Sequence, residues 1–269
     1  MKVIGLMVTW NNIEFFRYSV KQALNFCDEL ILVEGCHSMK YPKHSTDGTC
    51  EYIETIKETP KLVIRDFDRG GTYDKVQNRI RRDFPKESAL YETRNWIIQW
   101  DDDKFFFDRD LIKLRTAMET AKQDSLVWRV RHFLYNFKFN KLSSYVNCYK
   151  IVDGLRIVGI NTPCYSTGKP LRKEMLEGVE VFHYNAVKKP ERFRARMVMS
   201  VEKGTVASKI GYEQFMSVTW DKDEDIFKSK AIIESIGAGR KDLNIYNGEH
   251  PEAVRDHPWR YIKDVRKLK

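Results

Sequence analysis

Four short apolar runs mark out the first hundred residues, and segments of helical periodicity lie between them. Lys2 to Thr9, Leu30 to Glu34, Lys61 to Phe67 and Trp96 to Trp100 are rich in the β-branched and aromatic residues that suit a strand. Asn11 or Asn12 is placed to cap a helix through Phe16, Val20, Leu24 and Phe26. Asp47-Gly48-Thr49 opens a second helix with Tyr52, Ile53 and Ile56 on one face, and Pro60 stops it. A loop containing Gly70-Gly71 leads to a basic helix from Tyr73 to about Arg82, and a further short helix follows Pro85. Strands that alternate with helices predict a parallel, doubly wound sheet.

The second half reads differently. After a helix from about Leu111 to Gln123, the runs Leu126 to Asn136 and Ser143 to Val152 alternate like antiparallel strands, with a turn expected at Asn140-Lys141. Val179 to Tyr184 is another short strand, and helices near Glu191 to Val201, Tyr212 to Val218 and Ile226 to Ile236 close the chain. The expected class is α/β, with a mainly parallel N-terminal sheet and with antiparallel strands and C-terminal helices completing one domain. A chain of 269 residues is long enough to bury a full core.

The run Trp96 to Trp100 ends in Asp101-Asp102-Asp103. Three adjacent acids repel one another and resist burial unless something positive gathers them, and a divalent cation does so best. Asp101 and Asp103 are two residues apart at the C-terminal edge of a predicted parallel strand, where open α/β sheets bind ligands. Hard carboxylate oxygens suit Mg²⁺ or Mn²⁺. The plainer alternative is a solvated acidic turn capping a helix from about Asp108.

Other bulk features narrow the classes. The five cysteines are scattered, odd in number and free of CxxC spacing, which fits reduced thiols in a cytoplasmic protein with neither a disulfide framework nor a zinc site. The apolar stretch Met1 to Val8 is too short for a signal sequence, and no run reaches the length of a spanning helix. A net charge of +9 fits an acidic partner: nucleic acid, an anionic membrane or a phosphate-rich substrate.

Taken in order, these segments resemble the family-2-like glycosyltransferases of the GT-A (Rossmann-like) fold. The residues that carry the likeness are Val3 to Asn11, Glu34, Ser45-Thr46-Asp47-Gly48-Thr49, Lys75-Val76-Gln77-Asn78, Trp96 to Asp103, and Val181-Phe182-His183-Tyr184 followed by Lys189-Pro190-Glu191. The resemblance implies a metal-dependent transferase that moves a sugar from a nucleotide-diphospho-sugar donor, UDP above all, to an acceptor hydroxyl with inversion. It assigns Asp101, Asp103 and His183 to the metal, and Thr9, Trp10, Glu34, Lys75, Asn78 and Asp102 to the donor. Arg192 and Arg196, one helical turn apart in a basic stretch, would face the leaving diphosphate. The family's preceding Arg is Gln77 here. The region where the family carries its base reads Gly159-Ile160-Asn161-Thr162-Pro163 and holds no acid, so Asp153, Glu174, Glu177 and Glu180 are the remaining candidates.

On this reading residues 1–103 form the nucleotide-sugar-binding half, 104–221 the acceptor-side half, and 222–269 a helical and basic extension. The acceptor stays open among a glycan, a lipid-linked glycan, a small molecule, a protein and modified DNA. A nucleotidyltransferase is the rival enzyme, but Thr9-Trp10-Asn11-Asn12 lacks a glycine-rich phosphate loop. A basic nucleic-acid-binding protein is the non-catalytic rival, with Phe133, Tyr135, Phe137 and Phe139 as its stacking platform. In the tail, Pro258 suits the first turn of a helix on which Trp259, Ile262 and Val265 share a stripe, a means of peripheral membrane contact. Docking of that tail on its own domain is the expected outcome.

Overall fold

The computed structural model of the chain describes residues 1–67, 69, 73–134, 136–158, 162–202 and 243–263. Its strands and helices fall into two units: residues 1–129, 144–181 and 251–253, and residues 130–143, 182–250 and 254–269.

The first unit is built outward from β1 (Val3–Thr9), which pairs in parallel with β2 (Glu29–Glu34) on one edge and β4 (Trp96–Gln99) on the other. Strand β3 (Leu62–Asp66) extends the parallel run beyond β2. Helices α1 (Ile13–Phe26), α2 (Thr49–Ile56) and α3 (Tyr73–Asp83) make the crossovers, and Phe84–Glu87 forms a 3₁₀ turn. Burial on both faces explains why Leu30 to Glu34 and Trp96 to Gln99 are apolar almost without interruption. On one face Ile4, Leu6, Ile31, Val33, Ile97 and Tyr149 pack with Val76 and Ile80 of α3. Each such fully buried side chain contributes about 1.5–3 kcal/mol relative to exposure. The mixed α/β class and the parallel N-terminal sheet are as the sequence predicts.

The remaining elements of the described chain are β5 (Lys104–Phe106), α4 (Asp108–Thr120), β6 (Ser125–Leu134), β7 (Phe139–Lys150), β8 (Arg156–Val158), β9 (Thr162–Cys164), β10 (Lys173–Ala186), α5 (Pro190–Glu202), β11 (Leu243–Ile245) and a 3₁₀ turn at Glu252–Val254. Strand β7 runs antiparallel to β4, so the sheet turns from parallel to mixed at that point.

The second unit has an aromatic core. Phe182 and Tyr184 stack on Phe133 with ring centroids 5.6 and 4.8 Å away, and Tyr246 meets Phe133 edge-on at 5.7 Å. Phe137 packs on Tyr184 at 4.5 Å. Phe133, Phe137 and Phe139 are therefore buried and present no platform for bases, while Tyr135 lies outside the described residues. His250 sits among these rings and hydrogen-bonds the Tyr184 hydroxyl at 2.6 Å through Nδ1. Burial, then the charge of Arg260, pushes its pKa down to about 4.

Two local expectations are corrected. Asn140-Lys141 lies inside β7 rather than in a turn. The reversal is made instead by Asn136, whose Oδ1 accepts from the Lys138 and Phe139 amides at 2.9 and 3.1 Å. Asn140 is tolerated in the strand because Arg131 Nη1 donates to its Oδ1 at 2.8 Å and its own Nδ2 donates to the Asn244 carbonyl at 3.1 Å. The tail from His257 to Lys263 forms turns and no helix: the Arg260 amide bonds the His257 carbonyl and the Ile262 amide that of Trp259. Trp259 is buried and Tyr261 is 84% exposed, so the proposed stripe loses its aromatic anchor to the fold. The helices expected over 212–218 and 226–236 lie outside the described residues. No described helix is long and apolar enough to cross a membrane.

Candidate functional site

Parallel pairing places Thr9 beside Glu34 at the C-terminal ends of β1 and β2. The Trp100 amide bonds the Leu6 carbonyl at 2.9 Å, so the acidic segment leaves the sheet next to them. Thr9 Oγ1 donates to Asp102 Oδ2 at 2.7 Å, joining two candidate residues that are far apart in the chain, both of them buried. Trp10 is also buried, its ring 5.5 Å from that of Tyr41.

The Ser-Thr-Asp-Gly-Thr segment acts as a clamp on the β1–α1 loop. The Asn11 amide donates to Ser45 Oγ at 2.8 Å, and Asn11 Oδ1 accepts from the Thr46 amide at 2.6 Å. Asn11 adopts a left-handed conformation (φ 47°) that asparagine tolerates better than most residues. Asp47 Oδ1 accepts from the Thr49 amide at 3.0 Å and from its hydroxyl at 2.6 Å, while Oδ2 takes the Ile13 amide at 3.0 Å. One carboxylate thus serves the first turns of α1 and α2 together. Asn12 precedes α1 as expected, but its side chain makes no capping bond; Asp47 supplies it from outside.

Glu34 is heavily engaged. Its Oε1 accepts from the Ser45 amide at 2.8 Å and the Ser45 hydroxyl at 2.7 Å, and its Oε2 pairs with His44 Nδ1 at 2.7 Å. Cys50, in the first turn of α2, completes the group: ligand atoms of Glu34, His44 and Cys50 all lie within 4.8 Å of one another, the trio of this kind found among the described residues. Burial, and then the Glu34 charge, pushes the Cys50 thiol up to about 11. All five cysteines are free thiols.

In the acidic segment Asp103 is 4% exposed and Asp101 is half-buried. Lys104, itself 3% exposed, sets its Nζ 2.7 Å from Asp101 Oδ2. Ser19 of α1 fastens this turn by donating its hydroxyl to the Asp101 and Lys104 carbonyls at 3.1 and 3.2 Å. Gln22, one turn further along α1, brackets β5 through the Phe106 amide and carbonyl at 3.0 and 2.9 Å. These buried polar side chains on α1 read in sequence as ordinary helix residues.

His183 belongs to the second unit, on β10. Its Nδ1 is 3.1 Å from His132 Nδ1, and His132 Nε2 is 2.7 Å from Ser143 Oγ. Arg192 lies partly buried on α5, whereas the side chains of Arg196, Lys75 and Asn78 are outside the described residues. Of the candidate bases, Asp153 and Glu177 are exposed, and Glu174 and Glu180 are partly buried on β10, where the Glu180 amide donates to Asp110 Oδ2 at 3.3 Å.

No protein-family model and no curated protein matches the sequence. Among solved structures, the chain is similar to residues 1–349 of TarS from S. aureus in complex with UDP-GlcNAc, with a TM-score of 0.44 and 12% identity over 88% of this chain and 72% of that one. A second structure of TarS 1–349 gives 0.44 and 13% over 88% and 79%, and a longer TarS structure gives 0.44 and 14% over 85% and 47%. Identities this low assign no side-chain roles.

Proposed function

We propose that the protein is a glycosyltransferase that takes its sugar from a nucleotide diphosphate, UDP being the preferred carrier, and passes it to an acceptor hydroxyl with inversion. The observation that carries this reading is the convergence of Thr9, Glu34 and Asp101 to Asp103 at the C-terminal ends of adjacent parallel strands, tied directly by the bond from Thr9 to Asp102. That edge is where open α/β sheets bind their ligands. Glu34 contributes by holding the loop after β2 in place, since its carboxylate is already committed to Ser45 and His44.

The acidic turn suits a divalent cation. Its three adjacent carboxylates offer hard oxygen donors, which matches Mg²⁺ or Mn²⁺. Asp103 and Asp101 would hold the ion, which when bound supplies electrostatic neutralisation of the diphosphate. Thr9 keeps Asp102 oriented through its hydroxyl, and Ser19 keeps the turn on α1.

Calorimetric titration of UDP, with and without Mn²⁺, tests the reading. The expected result is metal-dependent binding that weakens at least about tenfold in Asp103→Ala and in Asp101→Ala, together with UDP release from UDP-sugars by the wild type only. Undiminished metal-dependent binding in both variants would refute the site.

A further inference from the structure

We propose that Glu34, His44 and Cys50 form a second, chemically different metal site, one for Zn²⁺ or a similar borderline-soft transition ion. The three ligand atoms come from rigidly placed elements: the end of β2, the loop clamped to it, and the first turn of α2. A carboxylate oxygen, an imidazole nitrogen and a thiolate are the donor types zinc takes, whereas the acidic turn offers oxygen alone. Around tetrahedral zinc, ligand atoms lie about 3.3–3.8 Å apart. The present spacing of up to 4.8 Å needs only side-chain adjustment, with the His44 to Glu34 hydrogen bond replaced by the ion.

The supporting contacts of such a site are already in place. Ser45 holds Glu34 Oε1 with its amide and hydroxyl, so Oε2 is the oxygen turned toward His44. Outer contacts of this sort orient a ligand before the metal arrives. His44 is 52% exposed, which gives the ion a way in, and three protein ligands leave a fourth position to water. Binding balances as the ion replacing one proton: the Cys50 S–H bond breaks, the proton passes to solvent, and the sulfur forms the bond to the metal. The inference does not rest on the transferase reading.

Titration of the full chain with Co²⁺ as a spectroscopic stand-in tests it. One equivalent should bring up a thiolate-to-cobalt charge-transfer band, and one equivalent of Zn²⁺ should remove it. Cys50→Ser should abolish the band, and His44→Ala should weaken binding at least about tenfold. Cys164→Ser, at a buried cysteine on β9, should leave it unchanged. Should Cys50→Ser fail to fold, His44→Ala decides, because that side chain stands half in solvent. Absence of a stoichiometric band in the wild type, a band that survives in folded Cys50→Ser, or unweakened binding in His44→Ala overturns the proposal. UDP binding plays no part in this readout, so the two readings fail separately.

Discussion

Replacing Asp47 with alanine should loosen the site and the fold together. The substitution removes three acceptor contacts, those to the Thr49 amide, the Thr49 hydroxyl and the Ile13 amide. Thr49 is fully buried, so its groups lose their acceptor where water does not readily replace it, a cost of about 1–3 kcal/mol. Loss of the cap on α2 and of a negative charge at the start of α1 adds to this, with overlap, so the total is about 2–4 kcal/mol. At ~2–4 °C per kcal/mol for a chain of this size, the midpoint should fall by roughly 4–16 °C. Asp47→Asn keeps one acceptor oxygen, and it should retain the Thr49 contact, lose that to Ile13 and recover about half of the loss. Differential scanning calorimetry of the three proteins measures this, and UDP titration should show weaker binding in the same order. An alanine variant that melts within ~1 °C of wild type, or asparagine and alanine variants that behave alike, would refute the account of the clamp.

Two further outcomes follow from buried contacts. Burial pushes the Asp28 carboxyl up, but the Val3 amide, Arg115 and Lys2 outweigh it and hold the group below its usual range. Its stabilisation is therefore present above pH ~4 and lost as pH falls through the lowered value, so Asp28→Asn should melt below wild type at pH 7, with the gap closing in acid. In Gly5→Ala the new methyl would stand 2.7 Å from Cys27 Sγ and 2.8 Å from Leu30 Cδ1, in a strand held on both edges. A cost of about 1–3 kcal/mol is expected in denaturant unfolding, partly relieved by adding Cys27→Ala; an unchanged midpoint would show that the strand yields.

The parallel half of the fold is legible because its strands are buried on both faces and its helices carry a single apolar side, so residue type alone distinguishes them. Asn140 shows where this fails: a polar pair suggests a turn, and only Arg131 and Asn244, brought from elsewhere, make its burial affordable. The acidic turn is legible as a cluster of like charges, but the burial of Lys104 against Asp101 is not, since lysines are rarely found inside. The trio of Glu34, His44 and Cys50 has no spacing that marks a metal motif. It arises from the path of the loop between β2 and α2, fixed by Ser45 and Asp47.

The clamp between residues 11–13 and 45–49 also bears on how the chain is made. All its partners lie in the first fifty residues, so its contacts need only short loops and are available to close once β1, β2 and α2 have emerged from the ribosome. The acidic segment and β4 arrive some fifty residues later, a delay of roughly 3–10 s at usual rates of synthesis. During that interval β1, central in the finished sheet, is an edge strand with its β4-facing backbone unpaired. A nascent chain stalled before Trp96 would therefore expose an ordered apolar edge, the surface that holdase chaperones cover and that other unfinished chains join.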